Sequence, residues 1–190
     1  MSRCLIIINP VSGGGAARRY ALDLQWKLST LFETIEVKFT RGEGDATRFA
    51  KNACERGFDA VFCMGGDGTV NETVNGIAQG GFSCTFGFIP VGTVNDMSRA
   101  LGIPQNPTQA IRRIDINETR TIDIGRCNDR YFCNNIATLE EIKVISEEEG
   151  RKAGLIIELD SQIDDDYIAE IKKQTLKTDI PGKENFKIVY

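Results

Sequence analysis

The 190-residue sequence predicts an α/β fold, a mostly parallel sheet with helices packed on both faces. Three observations predict it. Leu5-Ile6-Ile7-Ile8 is a continuous apolar, β-branched run, the pattern of a strand buried on both sides. Glycine-rich loops follow that run and two later ones, at Gly13-Gly14-Gly15, Gly65-Gly66-Asp67-Gly68 and Gly92-Thr93-Val94-Asn95-Asp96. Between the strand-like runs, apolar residues recur at helical spacing. Strand, glycine loop and helix alternate in this way to about residue 118.

Taken in order, Leu5–Ile8 leads through the first glycine loop into a helix. Its apolar positions are Ala17, Tyr20, Ala21, Leu24, Leu28, Leu31 and Phe32. Ile35 to Phe39 reads as a second strand. Asp45 can cap a helix whose apolar face is Phe49, Ala50 and Ala53, ending at Gly57. Ala60 to Met64 is a third strand, and Val70, Val74, Ile77 and Ala78 mark the helix after it, stopped by Gly80-Gly81. Phe86 to Val91 is a fourth strand, followed by a short helix closed by Gly102 and Pro104. Asn106-Pro107-Thr108-Gln109 is a strong helix start, with a cap, a proline at the first helical position and a glutamine at the third. Beyond residue 118 the pattern thins. Short strands are read at Arg120–Gly125, Tyr131–Ala137 and Leu155–Leu159, and a helix at Asp164–Leu176. The expected division is residues 1–118 as an α/β domain and 119–190 as a partial or divergent β-containing region.

Composition excludes several chemistries. The chain has no histidine, which removes serine–histidine and cysteine–histidine nucleophile pairs and most catalytic zinc sites. Six cysteines, at 4, 54, 63, 84, 127 and 133, form no CxxC pair, and they are expected to be reduced and mostly buried. Net charge is −4, so no strongly basic face invites nucleic acid. Charge is also uneven: residues 1–122 balance at +1, and residues 123–190 carry −5. No apolar run approaches membrane-spanning length, and no signal peptide precedes Asn9-Pro10. The expected location is cytoplasmic. Glu147-Glu148-Glu149 and Asp164-Asp165-Asp166 could hold a divalent cation or could be solvated carboxylate runs.

Loops at the carboxyl ends of parallel strands form the ligand crevice of an open α/β sheet, and free backbone amides at helix starts hold phosphate oxygens. Neither GxxxxGK[ST] nor GxGxxG is present, which disfavours a P-loop and a dinucleotide site. The loops resemble those of the diacylglycerol kinase catalytic domain, found in bacterial lipid kinases and in sphingosine and ceramide kinases. The residues that carry the resemblance are Asn9-Pro10-Val11-Ser12-Gly13 and Gly65-Gly66-Asp67-Gly68-Thr69-Val70-Asn71-Glu72 with Asn75-Gly76. Pro90-Val91-Gly92-Thr93-Val94-Asn95-Asp96 and Leu101-Gly102-Ile103-Pro104 complete it, with a weaker block at Thr40-Arg41 and Gly44-Asp45-Ala46. The GGDG loop alone also occurs in NAD kinase and phosphofructokinase relatives. The opening Asn-Pro-x-Ser-Gly and the Gly-Thr-x-Asn-Asp block argue against a kinase acting on NAD or a sugar phosphate.

The resemblance runs from residue 3 to about 137. It implies an NAD kinase/phosphofructokinase-like nucleotide-binding fold, ATP and Mg²⁺ as cofactors, and transfer of phosphate to a lipid hydroxyl such as that of diacylglycerol. Phosphoryl transfer asks for positioning and charge neutralisation, which suits these loops. By family position the nucleotide contacts are Asn9, Ser12, Thr40, Gly65, Gly66, Gly68, Thr69, Glu72, Gly92, Thr93 and Asn95. Asp67 is the catalytic candidate, acting through Mg²⁺ or on the acceptor hydroxyl, with Asp96 as a second metal ligand. Plainer roles stay open beside these. Asp67 could cap the helix that follows it, Asn95 and Asp96 could start the next one, and Glu72 and Asn75 could brace the loop. From Thr138 onward no family motif follows, and only Gly150, Gly154 and Gly182 remain of the glycines. A fragment, a truncated homologue and a non-catalytic nucleotide-binding remnant all fit that departure. The chain alone is therefore expected to bind nucleotide and to phosphorylate lipid slowly or not at all. Peripheral membrane contact is an open expectation, which the acidic remainder should weaken.

Overall fold

Four apolar runs become the four strands expected of them: β1 (Arg3–Ile8), β2 (Thr34–Phe39), β3 (Ala60–Gly65) and β4 (Thr85–Pro90). In the computed structural model, which describes residues 2–122, 124–127, 130–132, 135–136, 142–145, 154–157 and 186–189, they pair in parallel in the order β2-β1-β3-β4. β3 is buried along its whole length and β1 from Cys4 onward, which is why both read as unbroken apolar runs. β2 lies at the sheet edge and carries Glu36 and Lys38, charges that discourage pairing with a further strand.

The helices connect these strands. A 3-10 turn at Ser12–Gly15 leads into α1 (Ala16–Ser29), and α2 (Asp45–Glu55) links β2 to β3. α3 (Asp67–Gln79) links β3 to β4, and α4 (Asp96–Ala100) and α5 (Pro107–Arg113) follow β4. The chain steps outward from β1 to β2 and then back across to β3. Right-handed crossovers therefore put α1 on one face and α2 on the other. The packing agrees: α1 lies against α5, and α2 against α3. Asn106 caps α5 as expected, its side chain accepting from the Gln109 amide at 3.1 Å.

Three local readings needed correction. The cap position of α2 belongs to Gly44, in a left-handed conformation, while the Asp45 carboxylate turns back to accept from the Arg41 amide at 2.8 Å. α1 ends at Ser29, so Leu31 and Phe32 continue its apolar pattern from the turn beyond it. α3 begins at Asp67, three residues before its first apolar position.

The main sheet has two more strands. β5 (Thr119–Ile122) is joined to β4 through β11 (Phe186–Val189), which is parallel to β4 and antiparallel to β5. Ile188 and Val189 are buried there. Contacts group Met1–Asp123 with Asn185–Tyr190 as one unit and Ile124–Glu184 as another. The second unit contains β6 (Gly125–Cys127) paired with β7 (Arg130–Phe132). It also contains the antiparallel set β10 (Gly154–Ile157), β9 (Ile142–Ile145) and β8 (Asn135–Ile136). The proposed helix at 164–176 and both carboxylate runs lie outside the described residues. Cys4, Cys54, Cys63 and Cys84 are free and buried; Cys127 and Cys133 lie outside the residues whose side chains are described. Among the described residues no helix is long and apolar enough to cross a membrane.

The α2–α3 contact is unusually close because both helices present small residues. A Cβ at Gly76 would collide with the Thr47 carbonyl and the Ala50 methyl, and one at Gly80 would lie 2.5 Å from the Cys54 Cβ. Gly76→Ala is therefore expected to push the helices apart and cost about 1–3 kcal/mol in urea unfolding. Unchanged stability would show that the contact has room to relax.

Candidate functional site

The crevice follows from the strand order. β1 sends its connection to one face and β3 to the other, so the loops at their carboxyl ends diverge at a topological switch point. Asn9 leaves β1 there, its amide still bonded to the Met64 carbonyl of β3 at 3.0 Å. Its Oδ1 accepts from the Val11 amide and its Nδ2 donates to Thr69 Oγ1, each at 3.2 Å. One side chain thus turns the first loop and ties it to the start of α3.

Backbone packs against backbone between the loops. A Cβ on Gly92 would lie 2.5 Å from Gly66 Cα, and one on Gly13 would strike the Val91 carbonyl. Gly13 also has a left-handed backbone, with φ +59. Gly65 is crowded differently, since Thr69 folds over it and leaves 2.5 Å for a Cβ. A Cβ on Gly14, or on Gly68 in the first turn of α3, would meet nothing within 4 Å, and of the two only Gly14 has a left-handed backbone.

α3 begins without a side-chain cap, and the carbonyl of Gly66 accepts from the Val70 amide. The Asp67 carboxylate does not cap its own helix. Its Oδ2 accepts from the Asn95 amide and its Oδ1 from the Asp96 amide, both at 2.9 Å, so it clasps the start of α4 across the crevice. Asn95 sits at φ 55 and is buried. Its side chain bonds both ends of one glycine, Oδ1 to the Gly92 amide at 2.9 Å and Nδ2 to the Gly92 carbonyl at 2.8 Å. The Glu72 carboxylate meets the Ala46 amide at 3.2 Å at the start of α2, and Thr47 Oγ1 donates to the Glu72 carbonyl. The Arg41 amide, and after it Arg48, holds the Asp45 carboxyl below its ordinary pKa.

The fold therefore brings Asn9, Ser12, Gly65, Gly66, Asp67, Thr69, Gly92, Asn95 and Asp96 together where three loops meet. Thr93 lies exposed on the Gly92–Asp96 loop, and Thr40 follows β2 with its amide on the Ile8 carbonyl. The side chains of Asn95 and Glu72 are directed to loop and helix ends. Gln105 escaped the sequence reading: its Nε2 donates to Ser98 Oγ at 2.7 Å, and its Oε1 accepts from Asn95 Nδ2 at 3.4 Å. Its position one residue beyond the Leu101-Gly102-Ile103-Pro104 block was the only signal available.

The sequence profile of the diacylglycerol kinase catalytic domain matches residues 3–127, a span that takes in every one of these loops. The chain belongs to that family. The diacylglycerol kinases of Staphylococcus haemolyticus and Bacillus subtilis are each 42% identical to this family member over 135 residues. Those residues make up 70% of the chain but only 41% and 45% of the relatives. A Streptococcus pneumoniae relative is 36% identical over the whole chain, which spans 66% of that protein. A crystal structure of a Bacillus anthracis diacylglycerol kinase is 33% identical and superposes with a TM-score of 0.64, covering 70% of this chain and 46% of its own.

The Asp67 clasp makes a direct prediction. In Asp67→Asn one acceptor oxygen becomes an NH₂ group facing a backbone N–H, so one charge-assisted bond is lost. Urea unfolding is expected to show a loss of about 1.5–3 kcal/mol. Full wild-type stability would mean the clasp contributes nothing.

Proposed function

We propose that this chain is the nucleotide-binding part of an ATP-dependent lipid kinase, passing the γ-phosphate to a lipid hydroxyl such as that of diacylglycerol. Family membership supports the reaction class, and one observation carries the site: Gly68. Alanine is the better helix former by about 1 kcal/mol, and among the described residues nothing occupies the space its Cβ would fill. A glycine there is explained by a ligand that needs close access to the backbone.

The surroundings suit a triphosphate. The amides of Asp67, Gly68 and Thr69 open an uncapped thirteen-residue helix whose dipole favours negative charge. Asn9 holds the Thr69 hydroxyl oxygen as an acceptor, which leaves its proton free to donate to phosphate. Mg²⁺ bound with a nucleotide commonly takes one or two carboxylates, and Asp67 and Asp96 would hold it here. Both Asp67 oxygens keep a lone pair beyond the amides they accept. When bound, the ion supplies neutralisation of the charge that builds on the transferred phosphoryl group. Asp67 is also the candidate to accept the proton of the lipid hydroxyl.

In this reading Asn9, Ser12 and Thr40 contact the nucleotide, while Asn95, Gln105 and Glu72 keep loops and helix ends in place. The enzyme works in the cytoplasm and reaches its lipid at a membrane surface.

Gly68→Ala separates folding from binding. It is expected to leave stability unchanged or raised by about 0.5–1 kcal/mol, since it only improves helix propensity. Mg-ATP at about 100 times its dissociation constant should stabilise the parent chain by roughly 2.7 kcal/mol, and the variant far less. Equal ATP-induced shifts in the two proteins would remove the phosphate from this loop. Phosphorylation of diacylglycerol and other lipid alcohols with radiolabelled ATP tests the reaction itself.

A further inference from the structure

On α1 two large apolar side chains face outward. Leu22 is 76% and Trp26 73% exposed, and four residues apart they lie one above the other on the same side. The helix does not lack a buried face: Ala17, Leu24 and Leu28 point into the core from the opposite side. Arg18 stands one turn before Leu22 on the same stripe, and exposed Arg19 flanks it. Neither arginine takes part in an ion pair among the described residues. Asp23, the one acidic residue on the helix, is exposed and stands one turn beyond Arg19.

We propose that this stripe of α1 is a docking face for an anionic phospholipid surface, with Trp26 and Leu22 entering the headgroup region and Arg18 and Arg19 meeting its charge. The proposal rests on the lipid-kinase reading, which requires the protein to reach a substrate held in a bilayer. Two features favour a membrane over a second copy of the chain. A buried tryptophan contributes about 150–250 Å² and a leucine less, well short of the roughly 800 Å² per partner of a stable dimer. Tryptophan and arginine on one exposed helix stripe, about two turns apart, also match the polarity gradient of a bilayer interface, where an amphipathic ring sits at headgroup depth. The net charge of −4 opposes general attraction to an anionic surface, so the contact is a local one. The stripe begins beside the Gly13–Gly15 loop. Leu22 and Trp26 lie roughly 9 and 15 Å along the helix from it.

Trp26 is the only tryptophan, so its fluorescence reports this face alone. The full 190-residue chain is titrated with vesicles of phosphatidylcholine mixed with phosphatidylserine, and with phosphatidylcholine alone. Neither set contains diacylglycerol or nucleotide. The expected result is a blue shift on the anionic vesicles, quenched when brominated lipids are included and reduced by salt. Leu22→Ser should weaken binding, and the Arg18→Glu/Arg19→Glu double variant should weaken it by about 10- to 30-fold. No shift with a folded chain overturns the proposal. So does an equal shift on phosphatidylcholine alone, or a shift that grows with protein concentration without vesicles, which assigns the face to self-association. Nucleotide binding is measured separately without vesicles. Failure of the docking face and failure of the kinase reading are therefore distinguishable.

Discussion

The close approach of backbone to backbone where β3 and β4 leave the sheet is the constraint on which the rest of the site depends. Gly66 and Gly92 leave no room for a side chain between them, and Gly13 presses on Val91 from the third loop. Contact at that range lets the Asp67 carboxylate reach the amides of Asn95 and Asp96. It also lets the Asn9 side chain reach Thr69. The loops form one hydrogen-bonded assembly rather than three independent turns, and each glycine substitution there would be felt by the other two.

This assembly divides the glycines by purpose. Those at 13, 66 and 92 serve close packing, Gly65 makes room for Thr69, and Gly76 and Gly80 let α2 and α3 touch. Gly68 has no such reason among the described residues. The same division applies to the acids. Asp67 joins two loops, Glu72 and Asp45 serve the approach to α2, and Glu36 is held below its ordinary pKa mainly by its hydrogen bond with the Arg56 guanidinium at the sheet edge. A charged residue near a candidate phosphate site thus often acts first on the protein's own amides.

The strands, the helices on both faces and the order of the loops were legible in the chain to about residue 118. The signals there are local: unbroken apolar runs for strands covered on both faces, helical spacing between them, and turn glycines at the junctions. Beyond that point the signals thin, and β11 was not anticipated. Four residues, Phe186–Val189, carry too little pattern to announce a strand, and their place between β4 and β5 depends on partners more than sixty residues away in sequence.

By itself the sequence determined which residue types stand at the strand ends, and so the family and the cast of the candidate site. Glycine identity, an apolar run and a motif's spacing are properties of neighbours along the chain. Only the tertiary structure decided what each side chain does. It set the Asp67 carboxylate as a clasp on α4, ruling out the plainer alternative of a cap on α3, committed Asn95 to the Gly92 peptide, recruited Gln105, and left Gly68 open. Hydrogen bonds between loops depend on which strands the sheet makes neighbours, and the burial of the whole sheet sets that adjacency rather than any one segment of sequence.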